Sequence, residues 1–131
     1  EAHITNISSM GGFTPVPGQS IYGASKAAVK LMTEGLASEL KDTNVKVTIV
    51  FPGAVNTNIT KNSDADNRRV EEKDEKQTSK LLQPKDAAEI IVSGMENDKA
   101  RIFAGKDSRM LDIMTRINPK KAADIIADKL K

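Results

Sequence analysis

The chain has 131 residues, with 20 lysines and arginines against 18 acidic residues, a net charge of +2, no cysteine and 3% aromatic residues. That length suits one domain with its own core rather than two. The lack of cysteine excludes disulfide frameworks and thiolate metal sites, and a near-neutral, aromatic-poor chain has neither a basic stripe nor a stacking platform for nucleic acid, so a small molecule is the expected ligand.

In chain order, "HITNIS" (His3 to Ser8) is rich in β-branched residues and predicts a strand. Serines and glycines then mark a loop, and a helix is expected from about Ser20 to Leu40. Its apolar residues, among them Ile21, Ala24, Leu31, Met32, Leu36 and Leu40, spread over an arc of roughly 220°, about twice the stripe of a helix lying on one core. This helix should therefore be covered on two sides. "VKVTIVFPGAV" (Val45 to Val55) is an evenly apolar run stopped by Pro52-Gly53, the pattern of a buried parallel strand. Residues 56–83 are polar and highly charged, too long for a connector and expected to form a substrate lid. Pro84 then opens an amphipathic helix, "ARIFAG" is a third strand, and "DSRMLDIMTRI" and "PKKAADIIADKL" are two short helices. This order predicts right-handed parallel crossovers and an α/β sheet. No apolar run approaches the roughly 20 residues of a membrane span, and "EAHITNISS" lacks the layout of a signal peptide, so a cytoplasmic location is expected.

The stretch "SSMGGFTPVPGQSIYGASK", Ser8 to Lys26, holds the single tyrosine of the chain. Tyr22 and Lys26 are four residues apart and stand one above the other on one helix face. A free tyrosine ionises near pH 10, but an adjacent ammonium favours the phenolate, which is how a tyrosine can become a general acid or base. Alone, the pair is better explained as a solvated helix face, since roughly one tyrosine in sixteen meets a lysine at that spacing by chance. Its context points further. Ser9 lies thirteen residues before Tyr22, at the end of the first strand, and the carboxyl edge of a parallel sheet is where a ligand crevice forms. The Pro52-Gly53 corner opens onto the same edge.

The succession "NISSMGG", "YGASK" and "VFPGAVNT" resembles the short-chain dehydrogenase/reductase family along nearly the whole chain. The resemblance implies an α/β fold, a Rossmann-like doubly wound parallel sheet present here as its C-terminal β-α-β-α-β portion with terminal helices. It also implies an enzyme that moves a hydride between NAD or NADP and an alcohol or ketone substrate. By position, Ser9 would orient and polarise the substrate oxygen, Tyr22 would give or take its proton, and Lys26 would hydrogen-bond the nicotinamide ribose and assist the tyrosine. Pro52, Gly53 and the backbone of Val55 would line the nicotinamide, and Thr57 would bond its carboxamide or the nearby phosphate. The segment after Thr57 would be the substrate loop, and the Tyr22–Leu40 helix would join copies into a homodimer or homotetramer.

The family's Gly-rich phosphate turn and its NAD-or-NADP selecting residue have no counterpart here, because Gly11, Gly12 and Gly18 lack the required spacing and context. Residues 1–131 are thus expected to be the C-terminal half of one dehydrogenase domain, without the cofactor-binding half, with an unpaired outer edge on the first strand and inactive alone. Epimerase or dehydratase chemistry on the same fold is an alternative. A non-catalytic cofactor sensor or scaffold is another, against which the intact Ser9, Tyr22 and Lys26 weigh. His3, the single histidine, is expected to be structural, and no metal site is expected. "NSDADN" from Asn62 alternates acids as a calcium loop does but has no glycine at its sixth position and Lys73 at its twelfth. Asn6-Ile7-Ser8 and Asn58-Ile59-Thr60 match the glycosylation triplet with no sign of secretion. Met10, Phe13, Val16 and Pro17 suggest a partly apolar pocket, although core packing is the default for Phe13.

Overall fold

A computed structural model describes residues 2–57 and 81–130. Strand β1 (Ala2–Ile7) leads through a 3-10 turn (Met10–Gly12) to helix α1 (Ser20–Glu39) and strand β2 (Val45–Pro52). Helix α2 (Pro84–Glu96), strand β3 (Arg101–Ala104) and helices α3 (Lys106–Ile117) and α4 (Pro119–Lys129) follow. The strands form one parallel sheet in the order β1-β2-β3. Most of the expected 56–83 lid, with "NSDADN" and the Asn58 triplet, lies outside the described residues. Among the described residues no helix is long and apolar enough to cross a membrane.

The ends of the elements follow from local chemistry. Pro84 and Pro119 occupy the first turns of α2 and α4, where a missing N–H costs nothing. Asn118 is the single residue between α3 and α4, and its side chain caps α4 by accepting the Lys121 N–H at 2.9 Å. Asp107 in the first turn of α3 and Arg116 in its last complement the helix dipole.

Strand register shows which helix covers which face. Asn6, Ile49 and Arg101 are side by side across the sheet. Asn6 donates to Thr33 of α1 at 3.0 Å, and Arg101 is 3.9 Å from Glu34 of α1 and 3.2 Å from Asp112 of α3. This face therefore carries α1 and α3. Ile102 points the other way and packs on Gly94 of α2, where any side chain would collide with it. The sheet is covered on both faces, as a doubly wound fold requires. With α1 and α2 on opposite faces and the strands advancing in one direction, the two crossovers have opposite hands. The expectation that both are right-handed fails for one of them.

Phe13, Phe51 and Phe103 form one cluster on the α1 face, with ring centroids 5.2 Å (Phe13–Phe51) and 5.4 Å (Phe51–Phe103) apart. The Arg101 guanidinium sits 5.1 Å and 5.6 Å from the Phe51 and Phe103 centroids, so its charge is shared between cation–π contacts and two carboxylates. Phe13, half-buried, thus packs on the core ring of Phe51, which ties the turn after Ser9 to the sheet. His3 is structural: its Nε2 lies 2.7 Å from Thr48 Oγ1, whose own proton goes to the Lys99 carbonyl, so the ring nitrogen donates.

Helix α1 departs from expectation. Its inner side packs on the sheet through Thr33, but Ile21, Leu31 and Met32 are 86%, 72% and 59% exposed. Within one chain this helix is covered on one side. The outer strand edge of β1 likewise has no partner among the described residues.

Candidate active site

Parallel strands deliver their carboxyl ends to one edge, and there the turn after β1 meets the start of α1. Ser9 caps the 3-10 turn by accepting the Gly11 N–H at 3.2 Å, so its hydroxyl proton remains free to donate. Tyr22, on the first turn of α1 and 44% exposed, lays its ring against that turn. A methyl on Gly11 would lie 3.6 Å from Tyr22 Cε1 and 3.7 Å from Ser9 Oγ, so the serine hydroxyl and the phenol ring border the same point. One helical turn on, Lys26 Nζ stands 5.8 Å from the Tyr22 ring centroid and donates to the Ile7 carbonyl at 3.3 Å. The turn after β1 and the first turns of α1 thus place Ser9, Tyr22 and Lys26 near one another.

Ser8 is a residue the sequence reading passed over. Its buried hydroxyl donates to the Lys26 carbonyl at 2.7 Å, pinning α1 to the end of β1 at the residue that carries the ammonium. The "SS" pair thus divides two tasks, the first serine anchoring the helix and the second capping the turn beside the Tyr22 ring.

Pro52 ends β2 and Gly53 donates to the Ala104 carbonyl at 2.9 Å. Val55 forms an isolated parallel bridge with Leu82, in which Asn56 N–H donates to Leu82 O and Leu82 N–H donates to Ala54 O. In extended backbone those neighbouring groups face the partner, so Val55 turns its own N–H and C=O to the opposite side. Among the described residues neither is hydrogen-bonded. A donor and an acceptor side by side match a primary carboxamide, so this corner fits a nicotinamide. Thr57 is exposed, and no hydrogen bond among the described residues joins Val55 or Thr57 to Tyr22 or Lys26.

Asp107 is a second residue missed. Its carboxylate accepts the Ala54 N–H at 2.8 Å and packs against Gly53 and Gly105, where side chains would occupy its place. Gly105 has φ 127°, which disfavours any other residue. The signal was an acid in a helix's first turn just after a strand-ending glycine, but its partner lies 53 positions away. Asp107→Ala should lower stability by about 1 kcal/mol, and Asp107→Asn, which keeps an acceptor, should restore most of it in urea unfolding.

The sequence profile of the short chain dehydrogenase family matches residues 1–68, more than half of the chain. The chain belongs to the short chain dehydrogenase family. A protein of Mycobacterium tuberculosis strain H37Rv that bears the name oxidoreductase SadH is 36% identical over 122 residues, covering 89% of this short chain dehydrogenase sequence and 44% of its own. Among solved structures, a short-chain dehydrogenase from Sphingobium yanoikuyae in complex with NADPH is similar with TM-score 0.64 and 28% identity, over 79% of this chain and 38% of its own. A short chain dehydrogenase/reductase from Burkholderia phymatum in complex with NAD shares the fold with TM-score 0.67 and 22% identity, over 91% of this chain and 50% of its own. The chain therefore spans half or less of the length of each of these proteins.

Proposed function

We propose that the protein is an NAD- or NADP-dependent oxidoreductase that interconverts a carbonyl and an alcohol, with Tyr22 as general acid and base. The observation that carries this reading is the meeting of Ser9 Oγ and the Tyr22 ring around Gly11, with the Lys26 ammonium one turn beyond. The complexes of related proteins with NADPH and with NAD support the cofactor class and leave both forms open.

A bound nicotinamide supplies the hydride in reduction and accepts it in oxidation. The N–H and C=O of Val55, unbonded among the described residues, would hold its carboxamide against Pro52 and Gly53, with Thr57 near. Lys26 keeps two donors beyond its bond to Ile7 O, enough to hold the nicotinamide ribose. In reduction, the free proton of Ser9 binds the substrate oxygen and draws charge from the carbonyl carbon. As that carbon gains a hydride, the oxygen takes the Tyr22 hydroxyl proton and becomes the alcohol. The phenolate left on Tyr22 regains a proton from solvent. A second copy would cover the apolar outer face of α1, where Ile21, Leu31 and Met32 project.

The test is isotopic. The full-length protein, given nicotinamide cofactor deuterated at C4 and an aliphatic ketone, should form alcohol deuterated at the carbinol carbon. Alcohol without the label, or no reduction of any carbonyl by either cofactor, would refute the reading.

A further inference from the structure

Helix α3 has two unlike faces. Ser108, Leu111 and Asp112 are buried, and Thr115 is bonded to Thr14 at 2.7 Å, so this side belongs to the core. On the other side Lys106, Arg109, Met110, Ile113, Arg116 and Ile117 are all exposed, and their spacing of three or four residues makes them one stripe along the helix. Exposed Lys120 and Lys121 follow in the first turn of α4. From Lys106 to Lys121 no acidic side chain is exposed, because Asp107 is turned to the Ala54 N–H and Asp112 lies buried between Arg101 and Arg116. Lys120 pairs with Asp124, whereas Lys106 and Arg109 have no ion pair among the described residues. The other long helices carry charge differently. Helix α1 exposes no cation between Ser20 and Glu39, and α2 exposes Asp86, Glu89 and Glu96. A chain with a net charge of only +2 therefore sets its cations apart on one apolar ridge.

We propose that the outward face of α3 docks on an anionic membrane surface, with Met110, Ile113 and Ile117 entering between the headgroups and the neighbouring cations binding lipid phosphates. Apolar residues at 49%, 50% and 79% exposure, interleaved with lysine and arginine and free of exposed acid, are complementary to a layer that is negative outside and hydrocarbon beneath. The long cations can keep their charges at headgroup level while their methylenes follow the apolar stripe. A convex ridge suits a soft bilayer interface, whereas an acidic protein would need a groove shaped to receive it. One face of the helix enters, so no membrane-spanning length is required. The proposal does not depend on the oxidoreductase reading.

The experiment floats the full-length protein with vesicles of phosphatidylcholine alone and with vesicles of equal parts phosphatidylcholine and phosphatidylglycerol. At about 0.1 M salt it should rise with the anionic vesicles only, and at about 1 M, where screening acts within about 3 Å, most of it should be released. Lys106→Gln and Arg109→Gln should each weaken binding about fivefold, the effect of one cation near an anionic surface. Ile117→Ser should weaken it about tenfold through lost apolar burial. These side chains are exposed, so the variants should keep the parent's thermal midpoint. In Ile117→Trp, the emission of the added indole should move to the blue on anionic vesicles. Equal binding to both kinds of vesicle, binding to neither, or an indole emission that does not move overturns the proposal. So does a mass by light scattering that halves in Ile117→Ser without any vesicle binding, which would make the ridge a contact between copies of the protein.

Discussion

Tyr22→Phe should slow hydride transfer by about a hundredfold to ten-thousandfold, the usual contribution of a positioned general acid or base. The substitution removes one oxygen and leaves the ring beside Gly11. Among the described residues the Tyr22 hydroxyl has no hydrogen-bond partner, so stability should stay within about 0.5 kcal/mol of the parent. Because the proton moves only as the barrier is crossed, kcat and kcat/KM should fall together while the affinity for NAD(P)H is retained. Stopped-flow hydride transfer at saturating cofactor, with cofactor binding measured by fluorescence, separates these effects. A variant that keeps the parent rate would remove Tyr22 from the chemistry.

Gly12→Ala should destabilise the protein by about 1–3 kcal/mol, the range for overpacking a filled site. Gly12 is buried, and a methyl there would lie 2.7 Å from Ser8 Oγ and 2.9 Å from both the carbonyl carbon and oxygen of Lys26. Two of those atoms are backbone, so relief requires moving α1 rather than turning a side chain. The methyl would also wedge open the 2.7 Å bond from Ser8 to the Lys26 carbonyl. The damage is therefore twofold, with Lys26 displaced from Tyr22 as the helix shifts. Urea unfolding should show a lower midpoint with an unchanged slope, and activity should fall in the fraction that remains folded. An unaltered midpoint would mean that the turn and helix do not meet as closely as described.

Much of this was legible in the sequence because the decisive signals are local. Pro84, Pro119 and the Pro52-Gly53 stop fixed element ends to within a residue or so, and the "YGASK" spacing placed Tyr22 and Lys26 on one helix face. What escaped depends on contacts distant in the chain. Both faces of β3 are apolar enough that nothing local selects the side taken by α2, so the hand of the second crossover could not be read. The width of the apolar arc on α1 was visible, but hydropathy does not name its cover. Asp107 reads as an ordinary first-turn acid until the ends of β2 and β3 are brought together. Arg101, the one charge in β3, becomes intelligible only once Glu34 and Asp112 arrive from two helices.

The two-sided cover of the sheet also restricts how this segment can diverge. Thr48, Ile49, Val50 and Phe51 are all buried, with alternate members belonging to opposite layers. In β1, part-exposed positions such as Ile4 can drift among unlike residues over generations, whereas the middle of β2 leaves no such latitude. Loss or gain of one residue there would transfer each side chain to the wrong layer, so lineages descending from this chain can vary in length around β2 but not within it.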